Sequence, residues 1–246
     1  ATLKQELHLK KPRRIFYCAM GGSAIAPDIL NDLWAGGENF IEIIRDYQLP
    51  DHASFDDLVI IASYSGTTEE SLSCLKSAHK KRSQIVILAS GGEAEAYAVQ
   101  NYLYFIKLPP CPQPRLATGY FFGALVYILK KAGYEIDFPA ASLADFLTEN
   151  VADLEERALE IVAKIGQKVP IFYSTANYHS VIRINKIKIN ETAKTQSFYN
   201  VLPELNHNEM VGWTNLRLAP FFIFLVDTAI SDRHRRRFEV MEELWD

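Results

Sequence analysis

The run Leu58-Val59-Ile60-Ile61-Ala62 contains no polar residue, so as a strand it can leave neither face to water. Strands of that kind belong to parallel sheets covered on both sides, because each crossover between parallel strands lays a helix on one face. The pattern recurs along the first half. Residues 14–20, 40–44, 84–89 and 103–108 read as further short strands, fenced by Gly, Pro, Asp or Ser. Helical patterns at 25–34, 68–81 and 93–100 stand among them, the first with Pro27 in its opening turn, where the missing N–H costs little.

The corner Pro109-Pro110-Cys111-Pro112-Gln113-Pro114 can neither coil into a helix nor sit inside a sheet. It delivers Arg115 to a helix at 120–131 that is apolar nearly all round and is therefore expected to be buried, within the domain or against a second subunit. A long amphipathic pattern follows over 142–165, opened by the cap-like Ser142-Leu143-Ala144-Asp145 and stopped by Gly166. The alternation then restarts, with strands at 170–175, 197–201 and 220–227 and helices at 181–189 and 232–245. The expected fold is α/β, with two doubly wound subdomains built on parallel sheets. They divide as 1–141, a connecting helix over 142–165, and a second subdomain over 166–246 that has fewer strands.

A formal net charge of −4 supplies no global attraction to nucleic acid or to an anionic membrane. Cys18, Cys74 and Cys111 form no C-x-x-C pair and read as reduced thiols of a cytosolic protein. No cleavable signal peptide is expected, and the longest apolar run, 120–129, is about half of what spans a bilayer. A soluble cytoplasmic protein is the expectation.

Two strand ends are rich in Gly and Ser: Gly21-Gly22-Ser23, and Ser63-Tyr64-Ser65-Gly66-Thr67-Thr68 before a helix. In a doubly wound sheet such loops share the crevice at the carboxyl ends of the strands. Hydroxyls and first-turn N–H groups converging there suit an anion. The plainer alternative is that one Ser or Thr caps the helix. Neither loop is a G-x-G-x-x-G fingerprint or a P-loop, so a phosphate on a small molecule fits better than a nucleotide. Arg115 is either a surface charge or a guanidinium held by its stiff corner, able to stabilise developing negative charge. Asn190-Glu191-Thr192-Ala193-Lys194 and Glu204-Leu205-Asn206-His207-Asn208-Glu209 offer a carboxylate and an imidazole for proton transfer beside a carbonyl. Their ordinary explanations are a Glu191–Lys194 pair on a helix surface and a helix cap by Asn206 or Asn208. His207 and Glu209 lack further ligands at a convincing spacing, so no metal is expected.

Five segments, in this order, resemble the bifunctional phosphoglucose/phosphomannose isomerases of the SIS (sugar isomerase) superfamily. They are Ala19-Met20-Gly21-Gly22-Ser23-Ala24-Ile25, Ser63-Tyr64-Ser65-Gly66-Thr67-Thr68-Glu69-Glu70, Gln113-Pro114-Arg115-Leu116-Ala117-Thr118-Gly119-Tyr120, Asn190-Glu191-Thr192-Ala193-Lys194 and Pro203-Glu204-Leu205-Asn206-His207-Asn208-Glu209. The resemblance implies two SIS-type subdomains in a homodimer that interconverts glucose 6-phosphate or mannose 6-phosphate with fructose 6-phosphate, with neither metal nor organic cofactor. By motif position it implies that Gly22, Ser23, Ser63, Ser65 and Thr68 hold the phosphate. Glu191 would be the base between C1 and C2, Arg115 would stabilise the cis-enediolate, and His207, reaching in from the neighbouring subunit, would help open the ring.

The match has departures: Ala19 where the family has Gly, Ala26-Pro27-Asp28 for Gly-Gly-Asp, and Thr67 for Asn. Family members also continue past Trp245 into a lysine-bearing helix and carry a threonine linked to accepting both epimers, so the resemblance implies that the second SIS-type subdomain, 166–246, is C-terminally incomplete here. A catalytically silent sugar-phosphate-binding module is therefore the second expectation. A third, that Arg233-His234-Arg235-Arg236-Arg237 binds nucleic acid, is rejected in favour of a solvated helix face whose arginines meet Glu239 and its neighbours.

Overall fold

The computed structural model describes residues 2–3, 6–34, 37 and 40–245, and these form two compact units, Ala1–Ile136 and Asp137–Asp246. In chain order the first unit has β1 (Thr2–Leu3), β2 (Ile15–Cys18), α1 (Ile25–Leu33), β3 (Ile41–Ile44), β4 (Leu58–Ala62), α2 (Glu69–Lys80), β5 (Gln84–Ala89), α3 (Gly92–Gln100), β6 (Tyr104–Lys107) and α4 (Thr118–Lys131). The second has α5 (Ala140–Ile165), β7 (Val169–Thr175), α6 (His179–Lys188), β8 (Phe198–Leu202), α7 (Glu209–Gly212), β9 (Pro220–Phe224) and α8 (Asp232–Trp245).

The first sheet runs β1-β6-β5-β4-β2-β3, parallel throughout except for β1, which lies antiparallel on β6. The unbroken apolar character of 58–62 has the predicted meaning. β4 is the inner strand between β2 and β5, and all five of its residues are buried. One face packs Val59 and Ile61 with Cys18, Cys74 and Leu75. Of the nearly all-apolar helix, α4, one side is buried through Phe121, Leu125, Ile128 and Leu129, while Tyr120 and Tyr127 are exposed. The three cysteines are free thiols.

The amino ends of the strands carry an ion pair. Arg14, just before β2, donates from Nε and Nη2 to the two carboxylate oxygens of Asp57, just before β4, at 3.1 and 3.0 Å. Ser54 adds its backbone N–H at 2.7 Å and its hydroxyl at 3.1 Å. Burial alone would raise the Asp57 pKa, but these donors prevail and hold it below the ordinary carboxylate value. A depressed folded-state pKa contributes stability that is present above the unfolded value, about 3.9, and is lost as pH falls through the folded one. Asp57→Ala is therefore expected to cost about 3 kcal/mol at neutral pH, measured by urea unfolding, with the deficit shrinking as the pH is taken well below 4.

The second sheet, β8-β7-β9, is all parallel, with Tyr173 of β7 stacked between strands and against Phe222 and Phe224. Its core also takes Leu202, Leu205, Phe238 and Met241. The helix expected over 142–165 spans Ala140–Ile165, and none of its residues is buried. Ala144, Leu147, Val151, Leu154, Ala158, Ile161 and Ile165 repeat along it at alternating three- and four-residue intervals, an apolar seam of the coiled-coil kind. Among the described residues no helix is long and apolar enough to cross a membrane.

Candidate active site

Because β2 and β4 are parallel neighbours with Cys18 opposite Ile61, the segments that follow them start side by side. After β2 comes a tight turn over Gly21–Ala24, and after β4 the 63–68 turn. Buried Ser23 accepts the N–H of Tyr64 at 3.2 Å, which joins the two. Ser63 is buried as well. Its Oγ accepts N–H groups from Gly66 (3.1 Å) and Thr68 (3.4 Å) and shares a proton with the Thr68 hydroxyl at 2.7 Å. Exposed Ser65 accepts both the N–H and the hydroxyl of Thr67, at 3.2 and 3.0 Å.

The capping alternative does not describe this turn, since Thr68 precedes α2 without a side-chain bond to its first-turn N–H groups. The hydroxyl of Thr68 is turned to Ser63, and the helix start keeps its partial positive charge for something else. Two carboxylates modulate that charge: Glu70 and then Glu69, both in the first turn, hold the Tyr47 phenol above its ordinary pKa.

Two glycines allow the backbones to approach. A Cβ on Gly66, whose φ is +71°, would lie 1.8 Å from the carbonyl oxygen of Gly91. One on Gly22 would lie 2.8 Å from both Cα and N of Arg115. Arg115 thus rests directly on the Gly21–Ala24 turn, partly buried, with Nη1 3.4 Å from the side-chain oxygen of Gln113. The proline corner before it is held by Tyr64, whose hydroxyl is 3.0 and 3.2 Å from the carbonyl oxygens of Pro109 and Cys111. Gly22, Ser23, Ser63, Ser65, Thr68 and Arg115 therefore gather at one end of the first sheet. Tyr64 is the organising residue that reading the sequence missed. Its only sequence signal is its place between two serines, which says nothing about where the ring goes.

In the second unit, Glu191 lies half-buried in a π-helical turn, Ile189–Ala193, that continues α6. Such turns widen a helix locally and are frequent at functional sites. Lys194 closes the turn in the left-handed conformation, with φ of 56°, so residues 191 and 194 do not share a regular helix face. Asn190 fastens the exit by donating to the carbonyl of Thr195 at 2.8 Å. His207 ends a short 3-10 turn after β8 and is exposed. Of the two candidate caps, Asn208 is one, accepting the N–H of Glu209 at 2.6 Å, whereas Asn206 turns to Met241 and Arg237. Glu191 and His207 thus stand on separate elements, one after α6 and one after β8. Among the described residues, no three His, Cys, Asp or Glu side chains cluster as metal ligands would.

Solved structures share this architecture. A Salmonella typhimurium LT2 protein assigned to the phosphosugar isomerases superposes with a TM-score of 0.71, at 15% identity over 96% of this chain and 75% of its own. Glucosamine-6-phosphate deaminase of Thermotoga maritima gives 0.65, at 12% identity over 94% and 73%. The fold is thus the double α/β arrangement found among phosphosugar enzymes. Residues 154–246 match the family described as the bacterial phospho-glucose isomerase C-terminal SIS domain. Bifunctional phosphoglucose/phosphomannose isomerases of Aquifex aeolicus and Thermoplasma acidophilum are 30% and 32% identical, over 92% and 94% of this chain and 70% and 72% of theirs. D-glucosamine-6-phosphate 4-epimerase of Sulfolobus acidocaldarius is 32% identical over 82% of this chain and 64% of its own length. The chain belongs to the bifunctional phosphoglucose/phosphomannose isomerase family.

Proposed function

We propose that the protein is a cytoplasmic, homodimeric aldose–ketose isomerase that interconverts glucose 6-phosphate and mannose 6-phosphate with fructose 6-phosphate. The observation that carries this reading is the identity of 30–32% with bifunctional isomerases over more than nine-tenths of the chain. In this reading the phosphate sits at the start of α2, against Gly22, Ser23, Ser63, Ser65 and Thr68. Ser65 and Thr68 offer hydroxyls, while buried Ser23 and Ser63 keep the two turns in shape. Once the ring is open, the Glu191 carboxylate removes the C2 proton and the electron pair moves toward the carbonyl oxygen on C1. The resulting cis-enediolate carries negative charge that the Arg115 guanidinium offsets. Return of that proton from Glu191 to C1, with transfer of the O2 proton to O1, gives the ketose. Glucose and mannose derivatives yield the same enediolate, and one base serves both epimers when the open chain turns about the C2–C3 bond to bring either C2 proton to it.

His207, exposed and at the end of its turn, is assigned to ring opening in the site of the neighbouring subunit. The exposed seam of α5 supports a dimer, because seven apolar positions in register from Ala144 to Ile165 call for a covering partner.

The epimerase relative motivates a second reading, in which the substrate is glucosamine 6-phosphate. A coupled assay of the purified protein with glucose 6-phosphate, mannose 6-phosphate and glucosamine 6-phosphate in separate runs decides between them. Formation of fructose 6-phosphate from either of the first two is the expected result. Turnover of glucosamine 6-phosphate alone would replace the isomerase with an epimerase. Calorimetric binding without any turnover would leave a sugar-phosphate-binding module.

A further inference from the structure

The turn that carries His207 is tied down at nearly every residue except His207 itself. Leu205 is fully buried. Asn206 accepts from Nη1 of Arg237 at 2.9 Å and donates to the Met241 sulfur at 3.0 Å. Asn208 donates to the carboxylate of Glu204 at 2.8 Å while capping α7. Glu209 makes the strongest attachment. One carboxylate oxygen accepts the hydroxyl of Tyr173, on β7, at 2.5 Å, and the other accepts the side-chain amide of Asn200, on β8, at 2.5 Å. Trp213 donates its indole N–H to the Tyr173 oxygen at 2.9 Å and closes the cluster.

A structural role alone would be met more simply. Tyr173 is fully buried among Phe222, Phe224 and Trp245, where a phenylalanine would fill the space without a hydroxyl to satisfy. Burial and the adjacent Glu209 carboxylate push the Tyr173 phenol pKa up, so it stays a hydrogen-bond donor across the working range. A polar cluster with every member bonded has one arrangement, whereas an apolar contact tolerates sliding. The arrangement chosen here fixes the residue two positions after the imidazole to two different strands.

We propose that Glu209 is a positioning residue for His207, clamping the 204–209 turn to β7 and β8 so that the imidazole is presented at one place. The inference rests on the assignment of His207 to ring opening. It also gives the arginine run a local purpose, since Arg237 steadies the other side of the turn through Asn206 while Arg236 pairs with Glu239 at 3.2 Å and Glu243 at 3.4 Å.

The test is a double-mutant comparison by steady-state kinetics on the full chain, using Glu209→Gln, His207→Ala and the two combined, with circular dichroism to verify folding. Gln fills the same space but places an N–H₂ against one of the two donors. Displacing the turn by a fraction of an ångström is expected to lower kcat about tenfold with little change in KM. If Glu209 acts through His207, adding Glu209→Gln to His207→Ala produces no further loss. A double variant that falls tenfold below His207→Ala would overturn the clamp and leave the ring-opening assignment standing. His207→Ala at parental rate would instead remove that assignment, and the clamp with it. Should Glu209→Gln fail to fold, Tyr173→Phe takes its place, because it deletes one bond to the carboxylate and keeps the ring packing. A several-fold drop in kcat that vanishes in the His207→Ala background is then the expected result, and an unchanged kcat overturns the proposal.

Discussion

Replacing Glu191 by Gln is expected to lower kcat for fructose 6-phosphate formation about 10²- to 10⁴-fold, the range lost with a general base, while hexose 6-phosphate still binds. Gln keeps the length, volume and one carbonyl oxygen of Glu but cannot take up a proton at neutral pH. The side chain is half-buried in the π-helical turn after α6, whose exit is fastened by the Asn190 bond to Thr195 and by the left-handed backbone of Lys194. Because Gln keeps the shape of the side chain, loss of rate with the fold kept, verified by circular dichroism, is the expected result. Calorimetry with glucose 6-phosphate beside the coupled assay separates the two effects. Full turnover by the variant would take the proton transfer away from Glu191.

Gly22→Ala is the substitution in the phosphate half with the largest expected consequence. Its new methyl would meet the backbone of Arg115 at 2.8 Å, and no flexible side chain stands there to move aside. Either the Gly21–Ala24 turn or the proline corner must shift by several tenths of an ångström. The strain is expected to cost about 1–3 kcal/mol of stability, read from a denaturant midpoint. Displacement of the guanidinium should add a loss in kcat approaching 10²-fold, because catalytic groups tolerate little misplacement. Arg115→Lys would separate the causes, since it perturbs the cation and spares the packing. A Gly22→Ala enzyme with parental kinetics would show that Arg115 need not rest on that turn.

The first sheet was legible because continuous burial on both faces leaves one reading for runs such as 58–62 and 84–89, and their spacing leaves one kind of connection. β1 was not, since two residues carry no periodicity, and their pairing with Ile106 and Lys107 is a tertiary event. α7 is four residues long and escaped for the same reason. The π-helical turn is a backbone adjustment that residue types in Ile189–Ala193 do not announce. At the candidate site, residue types identified the hydroxyl-rich turn but not the division of work inside it. Ser63 and Ser65 are alike in sequence, yet one is buried as a bracket for Gly66 and Thr68 and the other faces outward. Only the path of the backbone decides that. A solvated face describes the arginine run at Arg236, whereas Arg237 reaches the 204–209 turn.

The bonding inside the 63–68 turn bears on how the binding energy of a substrate would be used. Ser63, Ser65, Thr67, Thr68 and Ser90 are already bonded within the loops before anything arrives. A turn folded in advance loses little conformational entropy on meeting a phosphate, so the attraction is not consumed in ordering the receptor. In the proposed reaction, what remains is available for the costly part, turning a closed sugar ring into an open chain. The rigidity of a loop that touches no reacting carbon would then appear in kcat as well as in KM.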